Sequence, residues 1–164
     1  IDWFPQYGET LGARLRQAFE HTFRQNASHV ITIGSDCPAL PPSVLSQAFD
    51  ALSETDVVLG PAADGGYYLI GLANQGPAND RYRTLFQGIA WSTESVYTQT
   101  LEAIHDARLT LTELPEWSDV DQPEDLLRLI DQVQAYRDAG DMDLAVHTEH
   151  MLQALRARIE TTVK

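Results

Sequence analysis

The sequence predicts an α/β fold, one layered sheet with helices on both faces. Three observations point to it. Short, β-branched apolar runs stand at His29-Val30-Ile31-Thr32-Ile33-Gly34 and Val57-Val58-Leu59-Gly60. The stretches around them carry apolar residues at helical spacing, and Gly, Pro, Asp and Asn mark the joins.

Taken in order, residues 10–24 read as a helix, with Leu11, Leu15, Ala18, Phe19, Thr22 and Phe23 on one stripe. The run from His29 to Gly34 is short and nearly continuously apolar, as a buried parallel strand should be, and it stops at the turn Ser35-Asp36-Cys37-Pro38. Pro41-Pro42-Ser43 opens a second helix whose Val44, Leu45, Ala48, Phe49 and Leu52 should face inward. A second buried strand, residues 57–60, is broken by Pro61. After Asp64-Gly65-Gly66 the aromatic run Tyr67-Tyr68-Leu69-Ile70-Gly71-Leu72 suits a third.

Residues 73–83 hold Asn, Gly, Pro and Asp and read as loop. Ser92 or Thr93 should cap a helix running to about His105, with Val96, Leu101 and Ile104 buried. Residues 109–114 alternate, as in a half-exposed strand near a sheet edge. Asp121-Gln122-Pro123-Glu124 has the form of a helix start, with a capping Asp, a first-turn Pro and an acid three residues on. That helix runs through Leu126, Leu127, Leu129, Ile130 and Val133 to Gly140, and a last helix occupies residues 142–162, carrying Leu152, Leu155 and Ile159. A single domain over residues 1–164 is expected, with residues 141–164 as its C-terminal helix.

Composition narrows the function. A length of 164 residues suits one core. The formal charge of −13 argues against a nucleic-acid or anionic-membrane partner, which would need a basic surface. With only 11 Lys and Arg residues, a bound polyphosphate would need a divalent cation to offset its charge. There is no signal-peptide pattern and no apolar run of the roughly 20 residues that span a bilayer. The one cysteine, Cys37, suits a reducing compartment, so the cytoplasm is expected.

Three stretches can carry chemistry. Asp36 stands past a strand end, where ligands sit in open α/β sheets, although Asp is also an ordinary turn former there. A dehalogenase-type nucleophile would require a second Asp two residues on, and Pro38 occupies that position. Asp119-Val120-Asp121-Gln122-Pro123-Glu124-Asp125 packs four acids within seven residues. Asp121 could simply cap a helix, with Glu124 and Asp125 placed there by the dipole; Asp119 has no such use. Asp36 with Asp119 or Asp121 would suit Mg²⁺, which takes one or two carboxylates together with substrate phosphates and water. In Gly60-Pro61-Ala62-Ala63-Asp64-Gly65-Gly66-Tyr67-Tyr68 the adjacent glycines let a ligand approach the backbone, or form a plain strand-to-strand turn. Cys37 reads as a buried thiol, and Asp143, His147 and His150 as an exposed polar helix face.

These stretches, with Ile33-Gly34-Ser35-Asp36-Cys37-Pro38-Ala39-Leu40 and Phe86-Gln87-Gly88-Ile89-Ala90-Trp91-Ser92-Thr93, resemble the bacterial glycosyltransferase-A-like family of radical-SAM/selenodomain-associated transferase 1 type. That family is related to the 2-phospho-lactate and molybdenum-cofactor guanylyltransferases. The resemblance spans about residues 6–129. It implies a Rossmann-like, mostly parallel mixed sheet of the nucleotide-diphospho-sugar transferase type. It further implies nucleotidyl or glycosyl transfer from a nucleoside triphosphate or nucleotide sugar to a small acceptor, with Mg²⁺ or Mn²⁺.

By the same resemblance Asp36 and Asp121 are the catalytic acids and metal ligands, and the reading of the acidic run adds Asp119 as a third ligand. Gln122 replaces the Thr usual beside the second acid. Gln6, Gly8 and Gly12 match a nucleotide-binding segment, and Asp64, Gly65, Gly66 and Tyr67 should face the acceptor, with Tyr67 stacking on it. Relatives open with a strand and a Gly-rich, basic phosphate loop. The chain begins near their third element and without Met, so an upstream segment is expected to be missing, with weak nucleotide binding and an open sheet edge as consequences. A homo-oligomer is one way to cover that edge. The alternative function is a non-catalytic relative that serves as a binding or assembly module.

Overall fold

The computed structural model describes residues 3–76, 81–142 and 144–162. Helix α1 (Leu11–Arg24) begins where the Thr10 hydroxyl accepts the Ala13 N–H at 3.2 Å, and it buries Ala18 and Phe19. Leu11, expected on the buried stripe, lies on the outer side of the first turn and is 51% exposed. Strand β1 (His29–Ile33) leads through the 34–41 turn into α2 (Pro42–Ala51). Val44 and Ala48 of α2 are buried; Phe49, predicted to face inward, is exposed.

Strands β2 (Val57–Pro61) and β3 (Tyr67–Ala73) form an antiparallel hairpin. A 3-10 helix at Arg81–Phe86 replaces part of the expected loop, because Leu85 and Phe86 are apolar enough to be drawn into the core. Helix α3 (Val96–Asp106) follows, then β4 (Leu111–Glu113), α4 (Pro123–Asp138) and α5 (Val146–Thr162). The start of α3 falls later than Ser92 or Thr93. Ser92 has a φ of +63°, outside helical geometry, and the Thr93 hydroxyl binds the Ala90 carbonyl at 2.7 Å instead. The last helix likewise starts at Val146 and not at residue 142. Ile159 falls where side chains are not described, and Asp143 lies outside the described residues.

The four strands make a mixed sheet in the order β1-β3-β2-β4. β3 runs antiparallel to both β1 and β2, and β4 runs parallel to β2. β1, β2 and β4 therefore point one way and β3 alone returns. The hairpin explains why β1 has no parallel neighbour among the described residues, contrary to expectation: β3 turns tightly back from β2 and inserts between it and β1. At the sheet edge, β1 is half-buried and Ile33 is 51% exposed.

Helices cover both faces, as the alternation of β2 requires. Val57 and Leu59 pack with Phe19, Leu72, Phe86 and Ile104, while Val58 packs with Val44, Ala48, Leu52 and Leu114. Burying each such aliphatic side chain is worth about 1.5–3 kcal/mol. A third cluster joins α4 and α5 to the 37–40 turn through Ala39, Leu129, Val133 and Leu152. Among the described residues no helix is long and apolar enough to cross a membrane.

Candidate functional site

Because β1, β2 and β4 share a direction, the segments that leave their carboxyl ends emerge on one rim of the sheet. Asp36 follows β1, Asp64 follows β2, and Asp119 and Asp121 follow β4. That rim is where open α/β sheets hold their ligands. Cross-links join the three segments: the Val120 N–H donates to the Asp36 carbonyl at 3.0 Å, and the Ala63 N–H to the Trp117 carbonyl at 3.1 Å.

Asp36 is exposed, and its carboxylate folds back over Gly34, where a Cβ would stand 2.4 Å from its Oδ1. The Gly-Ser-Asp order thus leaves room for the acid above the strand end. Cys37 is buried beside it, its Sγ 3.9 Å from Asp36 Oδ1. Burial first, then the negative charges of Asp36, Asp119 and Asp121, push the thiol up to about 12. It stays protonated at neutral pH and is a poor nucleophile or soft-metal ligand.

Asp121 does not cap α4, as the sequence suggested. Gln122 is the N-cap residue, and Asp125 closes the cap, accepting the Gln122 N–H at 2.8 Å and the Asp121 N–H at 3.0 Å while also pairing with Arg128. Those two backbone bonds, with Arg128, hold the Asp125 carboxyl below the usual range. The cap is one residue later than predicted because Pro123, which lacks an N–H, fits the first helical position. Among the described residues no hydrogen-bond donor meets the Asp121 carboxylate.

Asp119 is half-buried. Burial, then Asp64, Asp121 and Asp36, raise its pKa against a smaller opposing bond from its own backbone N–H. The sequence had assigned Asp64 only to the acceptor side. Its carboxylate also accepts the Gly66 N–H at 2.8 Å, which shapes the turn. Its part in the acidic cluster was not readable locally, since it depends on β2 and β4 being parallel neighbours.

The remaining predicted residues lie elsewhere. Gly65 has a φ of +88° and lies so close to α3 that a Cβ would come within 2.3 Å of the Glu94 carbonyl oxygen, while its own carbonyl accepts the Tyr97 N–H at 2.9 Å. The Tyr67 ring is half-buried and packs against the core. Its hydroxyl is buried beside Thr100 without a well-formed hydrogen bond, and burial raises its pKa. Gln6 and Gly8 are exposed; the bonds of their segment run to α1, with Arg14 Nε donating to the Gly8 carbonyl at 3.1 Å. Gly12 faces Trp91, whose ring would stand 2.5 Å from a Cβ there, so packing alone requires a glycine.

The acids suit a hard cation. They are oxygen donors, and their mutual repulsion is what a divalent ion would relieve. Among the described residues, however, no three ligand-type side chains close around one point. Asp36, Asp119 and Asp121 share an electrostatic neighbourhood without forming a ready three-ligand shell. Mg²⁺ or Mn²⁺ would fit by taking one or two of these carboxylates and filling the rest of its shell with phosphate oxygens and water.

Comparison with known proteins supports the fold. The family model described as "Uncharacterized protein conserved in bacteria (DUF2064)" matches residues 1–93. A phosphoenolpyruvate guanylyltransferase from Chloroflexus aggregans (strain MD-66 / DSM 9485) is 33% identical over 61 residues, which are 37% of this chain and 30% of that protein. A crystal structure from Desulfovibrio desulfuricans G20, provisionally described as a nucleotide-diphospho-sugar transferase, superposes with a TM-score of 0.79 at 32% identity. The match covers 95% of this chain and 64% of that one. The chain thus spans about a third of the guanylyltransferase and under two thirds of the structural neighbour.

Proposed function

The chain belongs to the bacterial DUF2064 family, and from that premise we propose that it carries the acidic, metal-binding half of a nucleotidyl- or glycosyltransferase site. One observation supports this above the others: acids from the ends of all three co-directional strands share one rim, and among the described residues no donor meets the Asp121 carboxylate. The guanylyltransferase and the nucleotide-diphospho-sugar transferase neighbour support a donor that carries a nucleotide.

In this reading Asp36 and Asp121, with Asp119 beside them, hold Mg²⁺ or Mn²⁺. The bound ion would offset charge developing on the donor's phosphate oxygens as an acceptor phosphate or hydroxyl displaces the leaving group. In this reading Asp36 and Asp121 act only as ligands, and no side chain acts as a nucleophile. The Asp64-Gly65-Gly66 turn, braced on α3, sets the far wall where a small acceptor would lie. Guanylyl transfer is the version closest to the curated relative. The neutral Cys37 thiol adds no charge to a site that is already strongly acidic.

The test is a thermal-shift series on the full chain with Mn²⁺ plus GTP, CTP, UTP or UDP-glucose. One nucleotide should raise the melting temperature by about 5 °C at saturation, only with the metal present, and Asp36→Ala should abolish the rise. No metal-dependent shift with any of the four would favour a binding or assembly module.

A further inference from the structure

The 36–39 turn is held at every carbonyl. The Asp36 carbonyl accepts the Val120 N–H at 3.0 Å, and the Cys37 carbonyl accepts the Leu40 N–H at 3.0 Å. The next two bonds come from the far end of the chain: the Thr148 hydroxyl donates to the Pro38 carbonyl at 2.9 Å, and the Tyr136 hydroxyl to the Ala39 carbonyl at 2.7 Å. These donors sit at the start of α5 and in the last turns of α4.

We propose that Tyr136 and Thr148 are positioning residues for Asp36, so that the α4–α5 hairpin sets the geometry of the cation site without touching the cation. This rests on the reading that Asp36 holds a divalent ion. Three features argue that the hairpin is more than ordinary packing. First, the bonds fall on the two residues immediately after the Asp36-Cys37 pair. Ala39, 3% exposed, is enclosed by Leu129, Val133 and Leu152, so water is poorly placed to replace a lost hydroxyl.

Second, the two helices of the hairpin are cross-braced. Arg137 binds Glu149 through Nε at 2.9 Å and Nη2 at 2.6 Å, and it also donates to the Asp141 carbonyl at 2.7 Å and the Leu144 carbonyl at 2.9 Å. With the Arg137 side chain only 11% exposed, these bonds tie α4 to α5, and their two hydroxyls can hold the turn in one place. Third, Val120, bonded to the Asp36 carbonyl, also packs in the hairpin's own cluster, so the same helices brace both acid-bearing segments. Mg²⁺ and Mn²⁺ accept a narrow range of ligand positions, and residues behind a metal ligand typically change affinity by about 10–100-fold when lost.

The experiment measures Mn²⁺ binding to the full chain by water-proton relaxation enhancement, with Mn²⁺ as the only probe. It compares the wild type with Asp36→Asn, the double variant Tyr136→Phe/Thr148→Val, and Thr148→Ser. Tyr136→Phe keeps the ring and Thr148→Val keeps the shape, so each removes only a hydroxyl. The double variant should bind Mn²⁺ about tenfold more weakly, with the metal-free melting temperature within about 3 °C of wild type. Thr148→Ser, which retains the hydroxyl, should bind as wild type does. If the double variant fails to fold, each single variant is read the same way, with about threefold weaker binding expected. Wild-type affinity in the folded variants would overturn the proposal while leaving Asp36 as a ligand. Wild-type protein binding no better than Asp36→Asn would overturn the metal reading and this proposal with it.

Discussion

The two ends of the sheet treat their acids in opposite ways. At the amino end of β2, Asp56 is fully engaged: its Oδ2 accepts the Thr110 N–H at 2.8 Å and the Thr110 hydroxyl at 3.0 Å, while its own N–H donates to Thr110 Oγ1 at 2.9 Å. This clamp aligns β2 with β4. At the carboxyl end, Asp36, Asp64, Asp119 and Asp121 share one rim, and burial, then the charge of Asp64 and more weakly of Asp121 and Asp36, leave Asp119 harder to ionise. Two acids of one short segment repeat the contrast, since Asp125 is bound by the helix start and Asp121 is not. Asp56 and Asp125 are surrounded by donors, whereas the rim acids stand mainly among other acids, which is the contrast that the proposed cation site rests on.

Each of several substitutions would break or sharpen that contrast. The largest effect is expected at Gly65, the brace of the acidic rim: Gly65→Ala should cost about 3 kcal/mol, because φ is +88° and the new Cβ would meet the Glu94 carbonyl at 2.3 Å. Urea unfolding reads it out, and a loss under 1 kcal/mol would mean that the turn is not wedged against α3. At the opposite end, Asp56→Ala should cost about 1–2 kcal/mol by the same measurement yet leave Mn²⁺ and nucleotide binding unchanged. An effect on binding there would erase the distinction between the two ends.

Gly34→Ala should do the reverse. Its Cβ would occupy the place of Asp36 Oδ1, 2.4 Å away, and the carboxylate can swing aside at little cost in stability. Mn²⁺ affinity by relaxation enhancement should fall about tenfold with a nearly unchanged melting temperature. The smallest effect should carry the opposite sign. Asp119→Asn removes a charge that its neighbours oppose and should raise the metal-free melting temperature at pH 7 by about 2 °C. Asp119 is raised in the folded state, so its contribution to stability is present below the ordinary carboxylate pKa and lost as pH rises through the folded value. The advantage of the Asn variant should therefore shrink as pH falls toward 4, and an advantage independent of pH would contradict the assignment.

Much of this arrangement was legible in the sequence. The strands announced themselves by β-branched apolar runs and the helices by their stripes, because burial of one face imposes those periods locally. The place of Asp36 was readable for the same reason, as an acid just past an apolar run. What failed was what depends on neighbours distant in the chain. The antiparallel pairing of β1 follows from where the β2–β3 hairpin inserts. The packing of the Tyr67 ring against the core, and of Trp91 over Gly12, 79 positions apart, could not be read locally either. The N-cap of α4 falls one residue later than read, at Gln122, and the acid that closes it is Asp125, because both acids fit a generic helix start and only the observed bonds choose. Tyr136 and Thr148 carried no motif at all; their partners lie 97 and 110 positions away.

The most direct test of the shared-ion account is a double-mutant cycle on Mn²⁺-dependent stabilisation by GTP, using Asp36→Asn, Asp121→Asn and the pair together. If both carboxylates serve one cation, either substitution removes most of the stabilisation and the pair loses little more than the worse single variant. Losses that simply add, or stabilisation that survives in Asp121→Asn, would show that these acids do not hold a common ion.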